Sequence, residues 1–203
     1  MKTVDVALVG LVLVVALTAA GCVWSVPEPV VIRDPRPQPV PLRIGVYHPP
    51  ELRDFTYRHH ITDTAWVLGK PSVRLLNEAL ALVFSEVVEV PRRPSDAGPS
   101  PDVAAVLESR ITSAGFRYPR IGVERAFPTH VTYGFTLYSP TGARLASWTV
   151  NGTGAEPIDN PLGAVGTVKA SFERAMREAA WKLTTEFRDV PEIRRWLDAQ
   201  GLR

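Results

Sequence analysis

Apolar and polar positions alternate along this chain with one of two periods, and the period marks each element. Leu42-Arg43-Ile44-Gly45-Val46-Tyr47 alternates and is rich in β formers, which predicts a first strand closed by His48-Pro49-Pro50. Thr56, Tyr57, Ile61, Thr62 and Thr64 favour extended backbone, so residues 55–68 predict one or two short strands. At Gly69-Lys70-Pro71-Ser72 the period changes. Val73, Leu76, Ala79, Leu80, Val83, Phe84 and Val87 recur at steps of three and four, and Pro71 suits a first helical turn. The spacing predicts a helix from Gly69 to near Val87, with Val87-Val88-Glu89-Val90 placed to turn directly into a strand. Residues 91–101 are polar and rich in Pro and Gly, a loop whose Arg92 and Arg93 are read as solvated.

Residues 102–118 fit two patterns. Val103, Val106, Leu107, Arg110 and Ile111 can share a helix face, and Val103 to Leu107 can equally be a buried strand. The next pair is unambiguous. Val131, Tyr133, Phe135 and Leu137 alternate with polar or small residues, Ser139-Pro140-Thr141-Gly142 has turn chemistry, and Ala146, Trp148 and Val150 alternate on the return. A β-hairpin follows, ended by Gly152, Gly154 and Pro157. Val165, Val168, Phe172, Ala175, Met176, Ala179, Leu183 and Phe187 then form a second helical stripe, with Glu173–Arg177 and Glu178–Lys182 at i, i+4 on the outer face. Asp189-Val190-Pro191-Glu192 predicts a short last helix with Asp189 as N-cap, carrying Ile193, Trp196 and Leu197 and stopped by Gly201.

The N-terminus changes the picture. Met1-Lys2 is followed by an apolar run, Val6 to Ala16, and then by small residues and a single Cys, in the form of a secretory signal. The run is far shorter than the roughly 20 residues a spanning helix needs. Ala19-Ala20-Gly21-Cys22 resembles the bacterial lipobox, with Ala19 where Leu is usual. That resemblance implies cleavage between Gly21 and Cys22 and acylation of Cys22. Val23 in place of an Asp implies, by the same resemblance, the outer membrane, facing the periplasm. Cys22 is the only Cys, so no intrachain disulfide can form, and lipidation would remove a thiol that is a liability in an oxidising compartment. Pro27, Pro29, Pro35, Pro37, Pro39 and Pro41 then give an extended stretch that reads as a tether, reaching up to about 60 Å at about 3.1 Å per residue, or as a tail packed along the domain surface. The expected organisation is a signal peptide over 1–21, a lipidated Cys with Pro-rich tether over 22–41, and one domain over 42–203.

Composition then narrows the chemistry. The formal charge of +2 is nearly neutral and the basic residues are scattered, which gives no electrostatic footprint for nucleic acid. Lys70 is no phosphate-loop lysine: Thr64 and Pro71 stand where Gly and Ser or Thr are needed. His59 and His60 are adjacent, which on a strand points them to opposite faces, and the sequence has no zinc-ligand spacing. It has no Gly-x-Ser-x-Gly elbow. Neither cofactor, metal nor enzymatic activity is expected. Most of Trp24, Trp66, Trp148, Trp181 and Trp196 are expected in the core, with Trp24 a candidate for the lipid interface.

The order of elements, with Gly69 through Phe84, Val131 through Gly154 and Ala164 through Phe187 as its recognisable pieces, resembles small α/β envelope lipoproteins. These are auxiliary lipoproteins of ABC-type transport systems and the lipopolysaccharide-assembly lipoprotein that plugs its barrel. The resemblance implies a strand over Val103 to Phe116 and an α+β fold: a mostly antiparallel sheet, two main helices on one face and a short C-terminal helix. It implies a non-catalytic accessory subunit, bound to the membrane through its lipid and to an envelope protein complex. The alternative is a periplasmic module binding a lipid, glycan or peptide. Tyr133, Phe135 and Tyr138 are the expected interaction surface, on the sheet face that the helices leave open.

Overall fold

The structure, a computed structural model, describes residues 23–25, 38–93, 102–120, 122–158 and 163–202. The signal segment, Cys22 and most of the Pro-rich stretch lie outside the described residues.

The fold is α+β. A five-stranded sheet has the order β5-β2-β6-β7-β8, with β2 at Val40–Tyr47, β5 at Phe84–Glu89, β6 at Ala105–Phe116, β7 at Ala126–Tyr138 and β8 at Arg144–Pro157. β2 runs parallel to both β5 and β6, while the much longer β6–β7 and β7–β8 ladders are antiparallel. A second small sheet, β1-β4-β3, joins Val23–Ser25 (β1), Ala65–Val67 (β4) and Thr56–Arg58 (β3). The helices are α1 at Pro50–Arg53, α2 at Gly69–Val83, α3 at Gly163–Glu186 and α4 at Pro191–Ala199.

One face of the large sheet carries the core. Ile44, Val46, Leu107, Val131, Tyr133, Phe135 and Leu137 point at Leu76, Leu80, Phe172, Met176 and Leu183 of α2 and α3, all buried. Fully burying side chains of this size is worth about 1.5–3 kcal/mol each. The β7–β8 ladder is longer than the hairpin pattern predicts, because Gly152 and Gly154 lie within β8 rather than at its end. There they let α3 approach: a Cβ on Gly152 would fall 1.9 Å from the Ala175 carbonyl oxygen, and one on Gly154 would fall 1.8 Å from that of Ser171.

Other boundaries move for local reasons. α2 stops at Val83 instead of near Val87, because Phe84 turns extended (φ −118°, ψ 152°) and its strand pairs with β2. β2 begins at Val40, two residues before the alternation becomes visible. β6 spans Ala105–Phe116, resolving the ambiguous stretch as strand. The N-cap of α4 is Val190, not Asp189; Pro191 takes the first helical position and Asp189 pairs with Arg194 at 3.5 Å. Trp66 is buried, whereas Trp181 stands out from α3.

Candidate functional site

The expected interaction surface is not at the surface. Tyr133 and Phe135 are buried under the helices, and Tyr138 is half-buried. The alternation holds, but these residues line the face under the helices and not the open one: large aromatics at alternate positions mark the core side of a half-covered sheet. The Tyr133 hydroxyl sits 2.8 Å from Ser72 Oγ, and burial pushes its pKa well up. Tyr138 lies near the buried Glu108 carboxylate; burial, then that negative charge, raise its pKa. Arg93 is not a free loop cation either. It donates to Glu108 at 2.8 Å and its guanidinium lies 6.0 Å from the Tyr47 ring centroid.

The open face over β6, β7 and β8 is polar. It presents Arg110, Thr112, Ser113, Thr132, Ser147, Thr149 and Asn151. Several of these bond to one another or to backbone: Asn151 Nδ2 to Thr132 Oγ1 at 2.9 Å, Thr112 Oγ1 to the Thr132 carbonyl at 3.2 Å, Ser113 Oγ with His130 Nε2 at 3.0 Å.

A cleft of about 540 Å³ opens between α1 and α2, lined by Arg53, Asp54, Lys70, Val73, Arg74, Asn77 and Glu78. Gly69 shapes it, since a Cβ there would fall 2.3 Å from the Arg53 carbonyl oxygen and push the helices apart. Three cations and two carboxylates edge it. Arg53 is ion-paired to Glu89 and donates to the His48 carbonyl at 2.8 Å, and Arg74 pairs with Glu78 at 3.1 Å. Behind Asn77 lies a buried chain: Asn77 Oδ1 is 2.7 Å from His48 Nε2, and His48 Nδ1 is 2.7 Å from Ser109 Oγ. With Oδ1 as acceptor, the neutral ring carries its proton on Nε2 and accepts the Ser109 hydroxyl at Nδ1. Desolvation holds the imidazole pKa below its usual value, against the opposing Asn77 contact and the Glu89 charge. Ser109 has no exposed surface, so this Ser–His–Asn chain ties α2 to β6 and offers no accessible nucleophile. Sequence reasoning missed it because residues 48, 77 and 109 are remote from one another along the chain.

One pole of the molecule carries a second cluster. The β3–β4 loop brings His59 against Phe116 at the end of β6, with ring centroids 4.4 Å apart and nearly parallel, and Tyr118 meets both His59 and Phe127 edge-on. Burial, then the neighbouring His60, lower the His59 pKa. The two histidines are at a turn, His59 buried and His60 exposed. Among the described residues no three His, Cys, Asp or Glu side chains gather as a metal site. Nor is any described helix long and apolar enough to cross a membrane.

No protein-family model matches the chain, and no curated protein matches it. Among solved structures it is similar to a DUF330-family protein from Xanthomonas campestris, at 12% identity and a TM-score of 0.54, covering 88% of this chain and 99% of that one. It is also similar to a minor lipoprotein from Acinetobacter baumannii, at 10% identity and a TM-score of 0.44, covering 73% and 91%. At these identities the likeness is one of fold: the chain has the architecture seen in the bacterial DUF330-family protein.

Proposed function

We propose that this chain is a non-catalytic lipoprotein of the bacterial envelope, anchored in the outer membrane through Cys22 and facing the periplasm, where it serves as an accessory subunit of an assembly or transport machine. The observation that carries the reading is the seam between leader and domain. The lipobox-like Ala19–Cys22 is followed at once by Val23–Ser25, which pairs with β4. An anchor at Cys22 would therefore be coupled to the fold through a single peptide bond. The open face over β6–β8 carries exposed polar groups, among them Arg110, Ser147 and Thr149, within reach of a partner's backbone and side chains. Auxiliary subunits of ABC-type transport systems and lipopolysaccharide-assembly lipoproteins are the classes this reading favours.

Mild crosslinking and pull-down from native membranes, beside a Cys22→Ala control, tests it. A stoichiometric envelope partner lost in the control supports an anchored accessory subunit. Recovery of the protein alone, from membrane and control alike, overturns it. The cleft at Arg53, Lys70 and Arg74 favours a second reading, a module that holds a ligand bearing an anionic group. A bound small molecule in the native mass spectrum, displaced in Lys70→Glu, would establish that one.

A further inference from the structure

Six large apolar side chains are exposed among the described residues, and five belong to one pole. Ile61 (71% exposed) is in the β3–β4 loop, Tyr118 (48%) follows β6, Val123 (73%) precedes β7, Ile158 follows β8, and Val165 is in the first turn of α3. The topology gathers them. Phe116 pairs with Thr129 near the start of β7, Ile158 N donates to the Arg125 carbonyl at 2.9 Å, and His59 stacks on Phe116. Scattered exposed apolar residues need no explanation, but a set confined to one end does. The sixth, Trp181, lies further along α3.

The path of the chain says what faces this end. β1 runs parallel to β4 with Val23 opposite Ala65, and Ala65 is the first residue after the turn that carries Ile61. Cys22 is joined to Val23 by one peptide bond, and consecutive Cα atoms lie about 3.8 Å apart. The Pro-rich residues come after β1, so their reach does not separate Cys22 from the domain. An acyl chain on Cys22 would tether the domain beside the start of β4, at the end that carries Ile61. The charge fits a lipid surface: residues 58–63 and 117–125 hold Arg58, Arg117, Arg120 and Arg125 against Asp63 and Glu124. Glu124 accepts from Arg117 at 2.5 Å and from the Arg120 backbone N–H at 3.0 Å, which closes the loop and leaves Val123 projecting. These contacts hold its pKa down at about 2, so the loop stays ion-paired at any physiological pH.

We propose that this pole is a membrane-docking face: Ile61, Tyr118 and Val123, with Ile158 and Val165 behind them, enter the interfacial layer of the bilayer that receives the Cys22 lipid, while the excess of arginine over carboxylate in these loops faces its phosphates. This rests on the reading of Cys22 as acylated. Short apolar tips on polar loops supply a second, weak membrane contact beside the lipid chains, fix the orientation of the domain, and leave the polar sheet face free for a partner.

The test uses the full chain, purified from bacterial membranes and reconstituted in phosphatidylethanolamine–phosphatidylglycerol vesicles. Mass spectrometry first reports whether Cys22 carries acyl chains; if it does not, the lipoprotein reading fails on its own. With acylation present, Ile61→Cys and Val123→Cys are labelled with an environment-sensitive fluorophore, Cys22 being blocked by its lipid. A Thr141→Cys label in the exposed β7–β8 turn at the opposite pole is the control. Blue-shifted emission and several-fold stronger quenching by lipid-borne quenchers at 61 and 123 than at 141 is the expected result. Equal quenching at all three sites, with Cys22 acylated, overturns the proposal. A second measurement guards against disturbance by the label: Ile61→Asp/Val123→Asp in the anchored protein is expected to speed tryptic cleavage at Arg58 and Arg120 on vesicles without changing it in detergent. No difference between the two settings would count against docking.

Discussion

His48 is a buried base whose two ring nitrogens are both spoken for, by Asn77 and Ser109. Its pKa is lowered in the folded state from the ordinary 6.5. Below about pH 6.5 the unfolded chain therefore binds a proton that the folded chain refuses, so stability rises with pH through that range and is complete above it. Denaturant titrations at several pH values are expected to show this slope in the native protein and a shallower one in His48→Gln. His59 shares the direction of shift, so the difference between the two proteins isolates His48. Gly152 makes a sharper case. Its Cα faces the backbone of α3, not a side chain that can swing away. Gly152→Ala is expected to cost about 3 kcal/mol or more, the upper end of overpacking penalties, read as a fall in the denaturation midpoint. Tyr133→Phe is expected to cost only about 1 kcal/mol, because Ser72 Oγ keeps its bond to the Leu68 carbonyl at 2.7 Å.

At the scale of elements, α3 does more than cover the sheet. β8 is an edge strand, and α3 reaches its free backbone groups: Lys182 Nζ donates to the Asn151 carbonyl at 2.9 Å and Glu178 Oε2 accepts from the Thr153 N–H at 2.9 Å. Unpaired edges recruit other strands. Burial alone would raise the Glu178 pKa, but Lys182 and the Thr153 hydroxyl and N–H outweigh it and the net shift is downward. The carboxylate thus helps at neutral pH, and its contribution is lost as pH falls from the ordinary 4.5 through the lowered value. Glu178→Ala/Lys182→Ala is expected to expose the β8 edge and show dimers or larger species by light scattering. A monomeric double variant would show that the helix backbone alone shields the edge.

For the molecule as a whole, the joint between β1 and β4 decides how any anchor is coupled to the domain. Trp24→Pro removes the central backbone N–H of β1 and puts a proline ring in the middle of the paired segment. Hydrogen exchange at Ala65–Val67 is expected to quicken in this variant while the five-stranded sheet keeps its protection. Unchanged exchange at β4 would mean that β1 contributes nothing to the joint. The polar sheet face and the apolar pole are separate surfaces, so disturbing one is expected to spare the other.

What the sequence determined by itself was whatever repeats over a few residues. The two long helices, the hairpin and the strand over Leu42–Tyr47 were legible because burial on one side imposes a period on the chain. Cys22 is a lipidation candidate from a local, linear signal alone and lies outside the described residues. Which face of the hairpin is buried was not legible: the alternation of Tyr133 and Phe135 is the same whether helices or a partner cover it. Nor was the ambiguity over 102–118, since Val103 to Leu107 satisfies both periods. The end of α2 moved because Phe84 gains more by pairing beside Val40 than by one further turn. Tertiary structure alone decided that Gly152 and Gly154 serve close packing, that His48 joins Asn77 and Ser109, and that the segments carrying Ile61, Tyr118 and Val123 end at one pole. Each depends on contacts between residues far apart in the chain, and such contacts leave no period for a sequence to show.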